Sequence, residues 1–159
     1  MKLLLQFQMR LADSESEHQV IRGRRLAIDY GDVRIGLAIS DPDCIVSTPL
    51  NPIRAQDPKL MENISGLLEE YDPIKIFIGL PIHLSGQESA ATEKVREFSH
   101  ALQQAIEIPI EFVDERLTTV AAQGKLRASG ISARESKNLI DSMAAVEILE
   151  AGISRERSA

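Results

Sequence analysis

Residues 26–41, "LAIDYGDVRIGLAISD", contain two apolar segments separated by a glycine and an acidic residue. Both segments are rich in Ile, Leu and Val, and Gly31-Asp32 between them is typical of a hairpin turn. The stretch therefore predicts two antiparallel strands. Asp29 lies at the end of the first strand, where a buried strand normally carries only apolar side chains. Such an aspartate either supports the turn or takes part in chemistry, and the rest of the chain decides between the two.

The size and composition of the chain are those of one compact globular domain. It has 159 residues, of which 43% are hydrophobic and 26% are charged. No apolar run approaches the ~20 residues that a membrane span requires. The single cysteine, Cys44, allows no internal disulfide, which fits a reducing compartment. We therefore expect a cytoplasmic protein without a membrane segment.

The net charge of −6 argues against a protein that binds nucleic acid through an overall positive surface. It does not exclude an enzyme that acts on nucleic acid, because carboxylates gathered at a metal site add negative charge themselves. Function must therefore be sought in individual residues.

Three regions differ in pattern along the chain. Residues 1–23 include the polar, acidic stretch "LADSESEHQV", which lacks a sustained period and predicts a flexible N-terminal extension. Residues 24–154 show strand and helix patterns and form the predicted domain. Residues 155–159 are expected to form a flexible tail.

Strand and helix patterns alternate after the hairpin. A third strand is predicted in "CIVSTPLNPI", at a sheet edge because its prolines cannot donate hydrogen bonds. Two buried strands are predicted in "IKIFIGLP" and "IPIEFVDE". Helix starts are predicted at Asp57-Pro58, at the capping-box pair Ser85 and Glu88, at Thr118 or Thr119, and at the capping-box pair Ser132 and Glu135. This order predicts an α/β fold of three layers, a mixed five-stranded sheet with helices on both faces.

Acidic residues occupy the ends of the first and last predicted strands. Asp29 ends the first strand, and Asp114 and Glu115 end the last. The C-terminal ends of parallel strands form the edge of the sheet at which sites are built. If the first strand lies in the middle of the sheet it would neighbour the last strand, which would bring Asp29 close to Glu115.

Asp141 lies inside the last predicted helix, where aspartate is disfavoured. Helical spacing places it on one face with Ala144 and Ala145, whose small side chains let a helix approach a sheet closely. A carboxylate on that face would point at the strand ends. A surface ion pair with Lys137 is an equal alternative from the sequence.

Three or four carboxylates without histidine or cysteine partners favour a hard cation, Mg²⁺ or Mn²⁺. The predicted ligand set is Asp29, Asp114, Glu115 and Asp141. Two such ions about 4 Å apart would activate a water molecule and stabilise the leaving oxygen of a phosphodiester. Such convergence of like charges is costly without a cation, which disfavours a purely structural cluster.

Four further residues are candidates for binding substrate phosphates. Gly79 and Gly86 permit close backbone approach before a helix N-terminus, although turn glycines explain them equally well. Arg34 and Arg116 flank the acids and have the geometry to bind phosphate oxygens, although surface ion pairing is the commoner role of an arginine.

Four motifs together resemble the YqgF family, also called RuvX or Holliday-junction-resolvase-like proteins. They are "DYGDVRIGLAISD" from Asp29, "GLPIHLSGQES" from Gly79, "DERLTT" from Asp114 and "KNLIDSMAAVEIL" from Lys137. The resemblance covers about residues 25–152, and four motifs in family order are highly specific. The chain departs from the family in its N-terminal extension and at Ser85, where an acidic residue often occurs.

The resemblance implies an RNase H-like fold and a metal-dependent nuclease with the catalytic acids Asp29, Glu115 and Asp141. Asp114 could replace or assist Glu115. The family is associated with 5′-end maturation of pre-16S ribosomal RNA, and some members with Holliday-junction resolution. The implied partners are therefore pre-16S rRNA or branched DNA, and a ribosomal precursor particle; the chain could be a monomer or a homodimer.

Two other function classes share parts of this pattern. Asp-x-Gly before an apolar strand also begins the phosphate loop of actin-like ATPases, but those proteins close two such domains around ATP. A catalytically silent nucleic-acid or ribosome-binding module is the non-enzyme alternative. Such modules usually lose their acids, whereas this chain retains all of them.

Overall fold

A computed structural model describes residues 20–117 and 133–159, and describes the side chains of residues 20–116 and 142–159. Within these residues lie five strands and three α-helices. The strands are β1 (Arg25–Tyr30), β2 (Arg34–Ser40), β3 (Ser47–Arg54), β4 (Lys75–Leu80) and β5 (Ile110–Asp114). The helices are α1 (Leu60–Tyr71), α2 (Ala90–Ala105) and α3 (Ala133–Ser158).

The five strands form one mixed sheet in the order β3-β2-β1-β4-β5. β1 pairs antiparallel with β2 and parallel with β4, and β4 pairs parallel with β5. This confirms the predicted mixed sheet, with β1 in its middle and the proline-containing β3 at its edge. The expectation that the first and last strands are direct neighbours is wrong. β4 lies between them, because α2 connects β4 to a strand on its far side.

The β1–β2 hairpin has the turn that its sequence predicts. The amide of Gly31 donates to the carbonyl of Arg34 at 3.0 Å. A Cβ atom at Gly31 would lie 2.6 Å from that same carbonyl oxygen, so only glycine fits this turn. The hairpin sets Asp29 opposite Gly36.

Alternation along β1 assigns its side chains to two different helical layers. The ring of Tyr30 stacks on Phe98 of α2 with ring centroids 4.7 Å apart. Ala27 instead belongs to the cluster under α3, together with Ala145. Because side chains of a strand alternate in direction, Asp29 projects to the α3 face of the sheet.

Two helices begin later than the sequence predicts. α1 begins at Leu60, and Asp57 precedes it in a turn in which its Oδ1 accepts from the amide of Lys59 at 2.9 Å. α2 begins at Ala90 with a capping box between Ser89 and Thr92. The predicted start at Ser85 and Glu88 is wrong because Gly86 between them has a φ of +82°, which a right-handed helix does not contain. The predicted starts at Thr118 or Thr119 and at Ser132 lie outside the described residues.

The last helix continues beyond the domain boundary predicted at residue 154. α3 extends to Ser158, so residues 155–158 of the expected tail are helical. Glu156 accounts for this, because it forms ion pairs with Arg25 at 3.0 Å and Lys75 at 2.9 Å. Arg157 adds a 2.7 Å hydrogen bond to the carbonyl of Cys44. These contacts attach the C-terminal turns of α3 to the ends of the strands that lie opposite Asp29.

The ion pair of Arg25 and Glu156 gives a testable prediction about stability. The Arg25 side chain is only 3% exposed, so replacing Glu156 by alanine leaves a buried guanidinium without its carboxylate. We expect the free energy of unfolding to fall by about 2 kcal/mol, because hydrogen bonds from Arg25 to the carbonyls of Ile21 and Gly23 remain. Urea denaturation measures this, with Glu150→Ala on the exposed side of α3 as the control. Equal stability of both variants would contradict the prediction.

Most of the predicted N-terminal extension lies outside the described residues, which begin at residue 20. Residue 23 contacts the domain, since the amide of Gly23 donates to the carbonyl of Pro42 at 2.9 Å. In the part of the chain that the structure describes, no helix combines the length and the apolar character that crossing a membrane requires. Cys44 is buried, as expected of a small core side chain.

Candidate active site

Asp29 and Glu115 meet at the C-terminal edge of the parallel strands. Asp29 is the last residue but one of β1, and Glu115 begins a 3₁₀ turn, Glu115–Leu117, directly after β5. Their carboxyl groups form a hydrogen bond with each other. The structure thus brings together two acids that are 86 positions apart in the sequence, although a whole strand separates their backbones.

Gly79 of β4 provides the space in which this contact occurs. A Cβ atom at Gly79 would lie 2.2 Å from Oε1 of Glu115 and 2.5 Å from Cδ1 of Ile148 in α3. The Glu115 side chain therefore passes over β4 at a position that only glycine leaves open. The sequence predicted Gly79 as a phosphate contact, and the structure places it buried beneath the Glu115 carboxyl group.

Burial and proximity change the proton affinity of both acids. Burial, followed by the hydrogen bond and the charge of Asp29, raises the pKa of Glu115 to about 9. Burial also raises the pKa of Asp29, while the hydrogen bond from Glu115 opposes that rise. At neutral pH, Glu115 is therefore protonated and donates to Asp29. The two carboxyl groups lie in a desolvated position, where their combined negative charge is unfavourable. They are therefore suitable ligands for a hard divalent cation.

This pair predicts how the stability of the metal-free protein depends on pH. The ordinary pKa of Glu115 is 4.5, and its pKa in the folded state is about 9. Between these values the folded chain binds more protons than the unfolded chain, so the free energy of unfolding falls as pH rises. For one proton, the slope is at most about 1.4 kcal/mol per pH unit.

Urea denaturation in EDTA at a series of pH values between 5 and 9 measures this slope, because that range lies between the ordinary pKa of Glu115, 4.5, and its pKa in the folded state, about 9. Glu115→Gln keeps a side chain of similar shape without the titrating proton, and we expect it to flatten the dependence. An unchanged slope in Glu115→Gln would contradict the assignment of the proton to this pair.

Asp114 is placed differently from Glu115, although the two are adjacent. Its Oδ2 accepts from Nε of Arg116 at 2.7 Å and its Oδ1 accepts from the Arg116 amide at 3.0 Å. These hydrogen bonds lower the pKa of Asp114 and hold it as an exposed carboxylate. The structure therefore brings Glu115, and not Asp114, to Asp29. Arg116 is engaged with Asp114 next to the acid pair.

The remaining predicted site residues, Arg34, Gly86 and Asp141, lie on other elements of the fold. Arg34 begins β2, and Gly86 lies in the loop between β4 and α2, where an added Cβ atom would meet nothing within 4 Å. Asp141 belongs to α3, but its side chain lies outside the described residues. Among the side chains that are described, no three acidic, histidine or cysteine residues form a group able to hold a metal ion.

A cleft of about 350 Å³ opens beside Glu115. Its lining residues are Pro81, Ile82, His83, Leu84, Glu115 and Arg116. Sequence reasoning missed His83 and Leu84, the latter 90% exposed. Their position directly after a strand of a parallel pair was the available signal, because such loops line the site edge.

The loop that carries these residues has a defined shape. The amide of Gly86 donates to the carbonyl of His83 at 2.7 Å, and the amide of His83 donates to the carbonyl of Gln87 at 3.1 Å. The hydroxyl of Thr92 donates to the carbonyl of Pro81, which ties the start of the loop to α2. These hydrogen bonds therefore hold both ends of the loop that forms one wall of the cleft.

Comparison with known proteins finds similarity over most of the chain. Residues 23–155 match the model of a family described as "RuvX: Holliday junction resolvase". A protein of Streptomyces avermitilis named "Putative pre-16S rRNA nuclease" is 45% identical over 138 residues, 86% of this chain and 88% of that protein. A protein of Clavibacter michiganensis subsp. michiganensis with the same name is 44% identical over 140 residues, 86% of each chain.

The fold is also similar to that of a solved structure. It is that of Thermus thermophilus RuvC in complex with a Holliday junction substrate, with a TM-score of 0.51 and 12% identity. The match covers 86% of this chain and 96% of that one. This similarity and the mixed five-stranded sheet confirm the predicted RNase H-like fold.

Proposed function

This chain belongs to the RuvX family, and we propose on that premise that it is a divalent-metal-dependent nuclease that matures the 5′ end of pre-16S ribosomal RNA. The observation that carries the proposal is the contact between Asp29 and Glu115 across Gly79. Two carboxyl groups that share a proton in a desolvated place gain most from a cation that replaces the proton. The relatives named as pre-16S rRNA nucleases support the choice of RNA.

The proposed metal ligands are Asp29, Glu115 and Asp141, with Mg²⁺ or Mn²⁺ as the ion. Asp29 and Glu115 supply oxygen donors from neighbouring places on the sheet edge. The position of Asp141 in α3 supports its role, since it lies one helical turn before Ala145, which is fully buried against the sheet. The bound ion would lower the pKa of a water molecule and neutralise charge on the phosphate.

The residues around the acids would bind and orient the substrate. Arg116 is placed beside the cleft at Glu115, where its guanidinium can exchange Asp114 for a phosphate oxygen. Asp114 would then act by holding Arg116 in position and not as a metal ligand.

The second candidate substrate is a four-way DNA junction. It is favoured by the description of the matching family as a Holliday junction resolvase. The acid pair acts on the scissile phosphate in either case, so the choice depends on contacts outside it. We propose a cytoplasmic setting and a ribosomal precursor particle as partner, in keeping with the RNA substrate.

The test offers the purified protein a pre-16S rRNA fragment and a four-way junction, each with Mn²⁺, Mg²⁺ or EDTA. We expect cleavage of the RNA at a defined site, with either metal and not with EDTA. Faster cleavage of the junction would favour the second candidate. Cleavage that persists in EDTA would contradict metal dependence.

A further inference from the structure

Two arginines face each other at the edge of the sheet beside the β1–β2 hairpin. Arg34, the first residue of β2, pairs in register with Arg54, the last residue of β3. Directly opposed residues of antiparallel strands have Cβ atoms about 5 Å apart and project to the same face. The register therefore places two positively charged side chains next to each other on one face of the sheet.

Arg54 carries an exposed charge that the described part of the chain leaves without a carboxylate. Asp32 of the β1–β2 hairpin pairs with Lys94 of α2 at 2.9 Å. The acid nearest to Arg54 in the sequence is Asp57, whose oxygens accept from the amide of Lys59 at 2.9 Å and from Nδ2 of Asn63 at 3.3 Å. The Arg54 guanidinium is therefore available to a ligand.

The arginine pair lies on the same face of the sheet as the acid pair. Ile35 packs into the core under α1 and α2, so its neighbour Arg34 projects to the opposite face, toward α3. Asp29 also projects to that face, and its register partner Gly36 is two residues from Arg34 along β2. With about 3.3 Å per residue and about 4.8 Å between strands, the backbone of Arg54 lies about 12 Å from that of Asp29.

A cleft of about 330 Å³ lies at the arginine pair. Its lining residues are Val33, Arg34, Pro52, Ile53 and Arg54. Guanidinium groups bind phosphate oxygens with two parallel hydrogen bonds, and the apolar residues offer a surface for a sugar. This combination fits a phosphodiester with its attached sugar better than a free anion.

We propose that Arg54, together with Arg34, forms a second phosphate-binding subsite for the nucleic-acid strand whose scissile bond lies at Asp29. A backbone separation of about 12 Å places the subsite at a phosphate further along the strand and not at the scissile phosphate. The subsite rests on the proposed nuclease function and adds Arg54 to it. In a chain of net charge −6, such local contacts must supply the attraction to phosphate.

The test measures affinity for the pre-16S rRNA fragment and the four-way junction as a function of salt, in an Asp29→Asn background that keeps the ligand intact. We expect Arg54→Ala to bind both about tenfold more weakly, with the slope of log affinity against log salt reduced by about one. Arg54→Lys keeps the charge and should recover most of the slope. The control is Arg22→Ala, since Arg22 is exposed and pairs with Asp43 at the opposite edge of the sheet.

Hydrolysis of a small phosphodiester distinguishes the role of this subsite from the catalytic step. Bis(4-nitrophenyl) phosphate has a single phosphate and offers none to a second subsite, so Arg54→Ala should hydrolyse it at the wild-type rate while its KM for nucleic acid rises. Unchanged affinity and salt slope in Arg54→Ala, with cleavage by the wild type intact, would overturn the subsite alone. A wild type that cleaves neither nucleic acid nor the small diester, while Arg54→Ala still binds more weakly, would overturn the nuclease function and leave the subsite standing.

The thermal stability of the variant distinguishes a binding role from a structural one. Because Arg54 is exposed and forms no ion pair with the described residues, we expect the Tm of Arg54→Ala to equal or exceed that of the wild type. A lower Tm together with lost affinity in both Arg54→Ala and Arg54→Gln would identify a structural residue and overturn the proposal.

Discussion

Replacing Asp29 by asparagine is expected to lower the rate of RNA cleavage at least about a thousandfold, because a neutral amide does not hold the cation that the reaction needs. The fold should persist, since asparagine has the same shape and its carbonyl oxygen still accepts from Glu115. Cleavage of a labelled pre-16S rRNA fragment with Mn²⁺ measures the loss. Circular dichroism and the Tm of the variant verify that it is folded.

Asp32 offers a matched control in the same hairpin. It lies three residues further along, its side chain is 75% exposed, and it pairs with Lys94 at 2.9 Å. A surface ion pair of this kind contributes less than about 1 kcal/mol. We therefore expect Asp32→Asn to cleave within about twofold of the wild type. Equal rates for Asp29→Asn and the wild type would point to a contaminating nuclease and contradict the assignment of the site.

Replacing Gly79 by alanine is expected to abolish cleavage as well, although glycine carries no reactive group. The added Cβ atom would lie 2.2 Å from Oε1 of Glu115 and 2.5 Å from Cδ1 of Ile148. Either Glu115 must leave its place beside Asp29 or the packing under α3 must open. Overpacking of this kind costs about 1–3 kcal/mol. The measurements are the cleavage rate, the free energy of unfolding, and the affinity for Mn²⁺ by calorimetry.

Gly66 provides the control for the glycine substitution itself. It lies inside α1, and an added Cβ atom there would meet nothing within 4 Å. We expect Gly66→Ala to raise the free energy of unfolding by about 0.5–1 kcal/mol and to leave cleavage unchanged, because alanine favours a helix interior. Wild-type activity in Gly79→Ala would show that Glu115 does not reach Asp29 across β4.

Local sequence patterns predicted the elements of the fold well and their starts less well. The hairpin at Gly31 and the edge position of β3 follow from turn chemistry and from proline, which act within a few residues. The start of α2 was misplaced because Ser85 and Ser89 each have capping-box spacing, and the left-handed Gly86 excludes the first choice. The end of α3 was placed too early because its last turns are held by Arg25, far away in the sequence.

Local patterns were sufficient to predict that acidic residues end the first and last strands of a mixed sheet, because strand periodicity and strand ends depend on neighbouring residues. Three further features became known from the folded chain: β4 lies between those strands, Glu115 and not Asp114 turns toward Asp29, and Gly79 leaves the gap in which they meet. Strand order and side-chain direction depend on packing between segments that are distant in the sequence, so no local pattern predicts them. The residues next to Gly79 in the sequence do not indicate that it lies under a carboxyl group.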